Sequence, residues 1–184
     1  MITIYTFAFN EELMLPFMID FHRSRFPDCK IIVFDNESTD NTKQIALDNN
    51  CQVIPYLTNN QIIDTKLRDT KNNCWKDAET EWVLVCDCDE LLNIDQADLK
   101  MWSDRGASII PSKGFNMVNM ANNLDLKSIT TGYRYEPYDK CLLFNKWKIR
   151  EINYVCGAHV CSPEGNVKAS PPFNMYHYRF INPD

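Results

Sequence analysis

The chain has 184 residues, a formal net charge of -6 and eight cysteines. That length suits one domain, able to bury roughly 70% of the surface its unfolded form exposes, and the acidic balance, with no basic stripe for a phosphate backbone, argues against nucleic acid as the main partner. No apolar stretch reaches the length of a membrane span, and Met1 runs into Ile2-Thr3-Ile4 without a basic leader, so the expectation is a cytoplasmic chain with mostly reduced, buried thiols.

In chain order, the first half alternates strand and helix signals. Short β-branched or aromatic runs predict strands over Ile2 to Phe7, Lys30 to Phe34, Gln52 to Pro55 and Trp82 to Cys86. Between them, apolar residues at helical spacing predict helices over Leu13 to Phe26, Thr39 to Asn49 and Ile62 to Ala78. The β-α-β-α-β-α-β order implies an α/β fold with a mainly parallel sheet flanked by helices. Ligands on such sheets collect at the carboxyl ends of the strands, where Phe9-Asn10-Glu11, Asp35-Asn36 and Asp87-Cys88-Asp89 fall. After a helix over Asp95 to Asp104, shorter strand-like pieces follow at Ala107 to Pro111, Phe115 to Met120, Lys140 to Phe144, Ile152 to Val155 and Phe173 to Phe180. They predict antiparallel or mixed additions to the same sheet. No linker divides the chain, so residues 1–184 form one domain with a binding half (1–105) and a second half (106–184); oligomeric state is not legible.

The run Trp82-Val83-Leu84-Val85-Cys86-Asp87-Cys88-Asp89-Glu90 ends a buried strand in three carboxylates. A strand period of two puts Asp87 and Asp89 on one side. Two carboxylates about 6 Å apart at an effective dielectric of about 20 repel by roughly 3 kcal/mol, an arrangement that a hard divalent cation such as Mg²⁺ or Mn²⁺ relieves. All five glycines lie at Gly106 or beyond. This excludes a P-loop or a G-x-G-x-x-G turn in the first half, because both need glycine for amides to approach phosphate. A diphosphate bound here is held by metal.

Phe9-Asn10-Glu11-Glu12, Asp35-Asn36-Glu37-Ser38-Thr39-Asp40-Asn41-Thr42 and Asp87-Cys88-Asp89-Glu90, each after a strand and in that order, resemble the serial motifs of family 2 glycosyltransferases and their GT-A relatives. The resemblance covers about the first half and implies the Rossmann-like GT-A fold, a nucleotide-diphosphate sugar donor, most simply a uridine one, and a glycan or protein acceptor. It further implies that Phe9 and Asn10 bracket the nucleoside, that Asp35 accepts from base or ribose with Glu11 in the same crevice, and that Asp87 lies on metal or ribose. Where the family has A-R-N, this chain has Lys71-Asn72, with Arg68 one turn earlier as a second cation. The family's Glu-Asp pair has no clear counterpart downstream. Instead Tyr138-Asp139-Lys140, Gly157-Ala158-His159 and Tyr176-His177-Tyr178-Arg179 resemble relatives grouped with family 92. That implies metal ligands Asp87, Asp89 and His177, with His159 or Asp139 as the base of an inverting transfer.

Two other readings remain open at this level. One is a nucleotide-sugar-binding module without turnover. The other is a structural zinc protein centred on Cys156, His159 and Cys161, although their spacing departs from C-x2-C and lacks a fourth ligand.

Overall fold

A computed structural model describes residues 1–59, 61–119 and 125–179. The strands β1 (Ile2–Ala8), β2 (Lys30–Asp35), β3 (Gln52–Pro55) and β4 (Trp82–Asp87) alternate with helices α1 (Met14–Arg25), α2 (Thr42–Asp48) and α3 (Asp64–Asn73). These strands pair in parallel in the order β3-β2-β1-β4. Both faces of this sheet are covered, so β1, β2 and β4 are buried almost residue by residue, as expected of continuous apolar runs. One face packs on α1 through Leu15, Met18 and Ile19. The other carries Tyr5, Phe34, Val83, Trp75 and Phe144.

The second half departs from the expectation of additions to one sheet. After β5 (Glu90–Leu92) and α4 (Gln96–Asp104) come β6 (Ile109–Ile110), β7 (Ser112–Met117), β8 (Gly132–Arg134), β9 (Leu143–Asn145), β10 (Ile149–Glu151), β11 (Glu164–Gly165) and β12 (Phe173–His177). Among the described residues only β9 and β6 extend the main sheet, β9 antiparallel to β4 and β6 antiparallel to β9. The others build a four-stranded sheet in the order β5-β12-β7-β8 and a small β10-β11 ribbon. Predicted strand Ile152 to Val155 is instead a loop, with a single bridge from Tyr154 to Cys161, because Asn153 takes a left-handed φ of 53°. Met120 and Phe180, the expected ends of two strands, lie outside the described residues. The second sheet follows directly from β4: the turn after Asp87 reverses the chain into β5, whose pairing with β12 sets Glu90 opposite His177. This delivers a strand from the far end of the sequence to the acidic turn.

Candidate active site

The carboxyl end of β4 holds a charge network rather than a bare acidic turn. Lys71, the last-turn cation of α3, is 3% exposed and its Nζ lies 2.6 Å from Asp87 Oδ1. Lys140, just before β9, places its Nζ 3.7 Å from Asp87 Oδ2 and hydrogen-bonds Glu90 Oε1. Glu90 in turn accepts from the Asp87 amide at 3.1 Å. Burial alone would raise the Asp87 carboxyl, but the two ammonium groups outweigh it and hold it far below the usual carboxylate range. Lys140 is pulled down by burial, and Glu90 and Asp87 reverse that to leave it raised.

Asp89 is placed differently. Its Oδ2 lies 3.0 Å from His177 Nε2, and its carbonyl accepts from the Tyr178 amide at 2.9 Å, so β12 is stitched to the acidic turn by side chain and backbone together. His177 Nδ1 is buried and has no hydrogen-bond partner. Asp89 and His177 thus form a carboxylate-imidazole pair. Among the described residues no three His, Cys, Asp or Glu side chains converge as a ready-made metal site, because Asp87, the expected third donor, is turned onto its lysines.

In front of this turn lies a cleft of about 220 Å³, lined by Phe7, Phe9, Asn36, Tyr56, Ile63 and Leu67 among others and closed by Glu11, Asp87 and Asp89. Phe7 stacks on Phe34 at 4.9 Å and meets Tyr56 edge-on at 5.7 Å. Phe9 at the rim is 44% exposed and Ile62 86% exposed. The cleft is therefore apolar on its walls and acidic at its floor. A larger cavity of about 720 Å³ lies between α1 and Tyr176 and Tyr178, away from these carboxylates.

Asn10 and Asp35 serve the loops rather than the cleft lining. Asn10 has a left-handed φ of 54°, a conformation asparagine tolerates, and its Oδ1 accepts from the Thr39 amide at 2.8 Å while its own amide donates to Ser38 Oγ at 3.0 Å. The Glu11 amide donates to Thr42 Oγ1 at 2.7 Å and the Glu12 amide to Asp40 Oδ2 at 3.1 Å. The first two motifs are thus laced to each other. Asp35 is 8% exposed and accepts from the Ser38 amide at 3.3 Å, an Asx-type turn; its neighbour Asn36 lines the cleft. Glu11 sits at the floor, where burial and then the Asp89, Asp40 and Asp87 charges push its carboxyl up to about 7.

The remaining candidates separate clearly. Arg68 forks onto Asp69 at 2.7–2.8 Å on the surface, so of the two cations expected on α3 it is Lys71 that reaches Asp87. Asp139 is occupied by Arg134 Nη2 at 2.5 Å and by the Gly114 amide at 2.8 Å. His159 is exposed and stacks on the Tyr138 ring at 6.4 Å, while His177 meets the same ring edge-on at 4.2 Å. Partial burial and then the Lys140 charge lower the His159 pKa, so its imidazole is neutral near pH 7. The loop carrying it is tied to α3 by Asn72, which donates to the Tyr154 carbonyl at 3.1 Å and accepts from the Tyr154 amide at 2.7 Å. The zinc reading does not survive: the Cys161 thiol is hydrogen-bonded to the Cys141 thiol, both unoxidised, Cys156 is exposed, and the three expected ligands do not assemble among the described residues. Sequence reasoning missed Phe7 and Tyr56 as site residues, and it quoted Asn36, Asn72 and Lys140 within motifs without giving them a role. Strand-end aromatics read as core, and a lysine in a motif has no assignable partner until its carboxylates are placed.

The sequence pattern of the family described as Glycosyl transferase family 2 matches residues 3–102. No curated protein matches the chain. Among solved structures, S. aureus TarS, in its 1–349 portion, superposes with a TM-score of 0.57 at 13% identity, covering 96% of this chain and 60% of that one. The same portion in complex with UDP-GlcNAc gives a TM-score of 0.53 at 12% identity, covering 97% and 58%. Glucosyl-3-phosphoglycerate synthase from Mycobacterium tuberculosis, in complex with Mn²⁺, UDP and glucosyl-3-phosphoglycerate, gives 0.40 at 20% identity over 62% and 43%. The chain spans less than two thirds of the length of each, and at these identities the likeness to TarS is one of fold.

Proposed function

Since the chain belongs to glycosyl transferase family 2, we propose that it transfers a sugar from a nucleotide-diphosphate donor, with uridine as the expected base, to a hydroxyl of a glycan or protein acceptor. The observation that carries this reading is the division of labour at the β4 end, where both carboxylates line the cleft: Asp87 is neutralised by two lysines, whereas Asp89, two positions on, is paired with His177. The apolar cleft takes the nucleobase between Phe9, Tyr56 and Ile63, with Asn36 as its hydrogen-bonding edge, and leads the diphosphate toward Asp89.

The donor set fits Mn²⁺ or Mg²⁺. A carboxylate and an imidazole already stand 3.0 Å apart, and Glu11 lines the same cleft, its carboxyl raised first by burial and then by the Asp89, Asp40 and Asp87 charges. Asp89 and His177 would hold the ion, and when bound it would neutralise the departing diphosphate. Lys71 and Lys140 keep Asp87 ionised and the turn rigid, which presets where Asp89 points. In the transfer the acceptor oxygen bonds the anomeric carbon, the bond from that carbon to the diphosphate breaks with its electron pair, and the hydroxyl proton passes to His159. Asp139, already holding Arg134, is not placed for that role. A single displacement of this kind inverts the anomeric centre.

Incubation with UDP-GlcNAc and other UDP-sugars, with and without Mn²⁺, followed by detection of released UDP, tests the assignment. Metal-dependent UDP release that disappears in His159→Ala, with donor affinity retained, is the expected result. Tight donor binding with neither transfer nor hydrolysis would instead establish a binding module.

A further inference from the structure

We propose that Tyr133 and Tyr135, continued inward by Tyr138, form a subsite for an uncharged oligosaccharide acceptor that leads from the surface to His159 and His177. The inference deepens the transferase reading and rests on it. Two independent paths on the structure meet here. The first is a cross-strand row over one face of the second sheet, in which Glu90, His177, Asn116 and Tyr133 are register partners on β5, β12, β7 and β8. Residues opposite one another in a sheet share a face, so Tyr133 stands on the same face as His177, two strands out. Asn116 stands between them in register: its Nδ2 donates to Tyr133 Oη at 3.2 Å, while its buried Oδ1 has no partner among the described residues.

The second path is a chain of ring contacts. Tyr133 meets Tyr135 at 6.3 Å, Tyr135 meets Tyr138 at 4.6 Å, and Tyr138 meets His177 at 4.2 Å, all edge-on. The turn carrying these rings is fixed rather than loose, because Gly114 on β7 has no side chain. A Cβ there would lie 2.3 Å from Tyr138 Cβ, and the Gly114 carbonyl accepts from the Tyr135 amide at 3.0 Å. The outer two rings are 53% and 40% exposed and adjoin one another, a contiguous aromatic surface of the kind that marks an interaction site.

The chemistry of the strip selects its occupant. Exposed aromatic faces bearing phenol hydroxyls offer apolar area with a polar edge, which matches a sugar ring with its C–H face and its hydroxyl rim. Arg134, which alternates to the other face of β8, is paired with Asp139, and the strip itself consists of uncharged phenols, which favours a neutral occupant over a phosphate or a carboxylate. A terminal sugar placed beside His159 extends its next residues over Tyr135 and Tyr133.

The test uses the full chain immobilised and probed with neutral gluco-, chito- and manno-oligosaccharides from mono- to hexasaccharide in the presence of UDP and Mn²⁺. UDP affinity is measured in parallel. The expected result is binding that strengthens with saccharide length, falls about tenfold in Tyr133→Ala/Tyr135→Ala, and is retained in the corresponding Phe double variant, with UDP affinity unchanged throughout. No saccharide binding, equal binding by the Ala variant, or tyrosine-dependent capture of hydroxyl-bearing peptides in place of saccharides overturns the proposal. Failure of the wild type to bind UDP condemns the donor site instead, so the two readings fail separately.

Discussion

Asp87 carries two lysines on its carboxylate, whereas Asp89 is paired with a histidine, and neutralising each has a different consequence. Asp87→Asn strips Lys71, 4% exposed at its side chain, of its counter-charge and leaves a buried ammonium uncompensated. We expect a loss of about 2 kcal/mol, below the roughly 3–5 kcal/mol of a fully buried pair because Asp87 is partly open to water. Asp89→Asn should change apo stability by less than about 1 kcal/mol. Urea unfolding of both variants checks this, and equal losses would contradict the division of labour. Glu11 gives a pH signature. Its carboxyl is raised by burial and by Asp89, Asp40 and Asp87 from 4.5 to about 7, so the native state holds a proton that the unfolded state has already lost. Its contribution to stability is full below about pH 4.5 and is lost as pH rises through 7. Glu11→Gln should therefore be more stable than wild type at pH 8 by roughly 1–3 kcal/mol, with the difference closing toward pH 4; a difference that does not vary with pH would remove Glu11 from the acidic floor.

At the level of elements, β1 to β4 and the helices between them were legible because parallel strands buried on both faces read as unbroken apolar runs. Their strand ends then located the acidic motifs without further information. β5 and β8 were not legible: each is three residues long and exists through its partner, β12 for one and β7 for the other. The roles of Asn10 and Ser38-Thr39-Asp40 were hidden for a related reason, since hydrogen bonds between two loops leave no periodicity in either. Asn72 illustrates how such contacts transmit to the site. Asn72→Ala removes both bonds to Tyr154 and should raise amide exchange through residues 153–161 while leaving β1 to β4 protected, which mass spectrometry reads directly. Uniform protection would mean that the His159 loop is held by packing alone. Gly114→Ala, by contrast, forces Tyr138 off β7 and should destabilise by about 1–3 kcal/mol as overpacking does.

For the whole molecule, the account rests on a second sheet that brings residues from opposite ends of the chain onto one acidic turn. The parallel sheet supplies the cleft and Asp87 to Asp89; β12 supplies His177; the segment before β9 supplies Lys140. At its centre, Asp89 and His177 are proposed to hold together the ion that receives a nucleotide diphosphate. Calorimetric titration of UDP into the protein with and without Mn²⁺, in the wild type, Asp89→Asn and His177→Ala, tests this. Metal-dependent UDP binding is expected in the wild type and should be lost in both variants while their unfolding midpoints stay near that of the wild type. UDP affinity that is indifferent to Mn²⁺, or unchanged in Asp89→Asn, would contradict it.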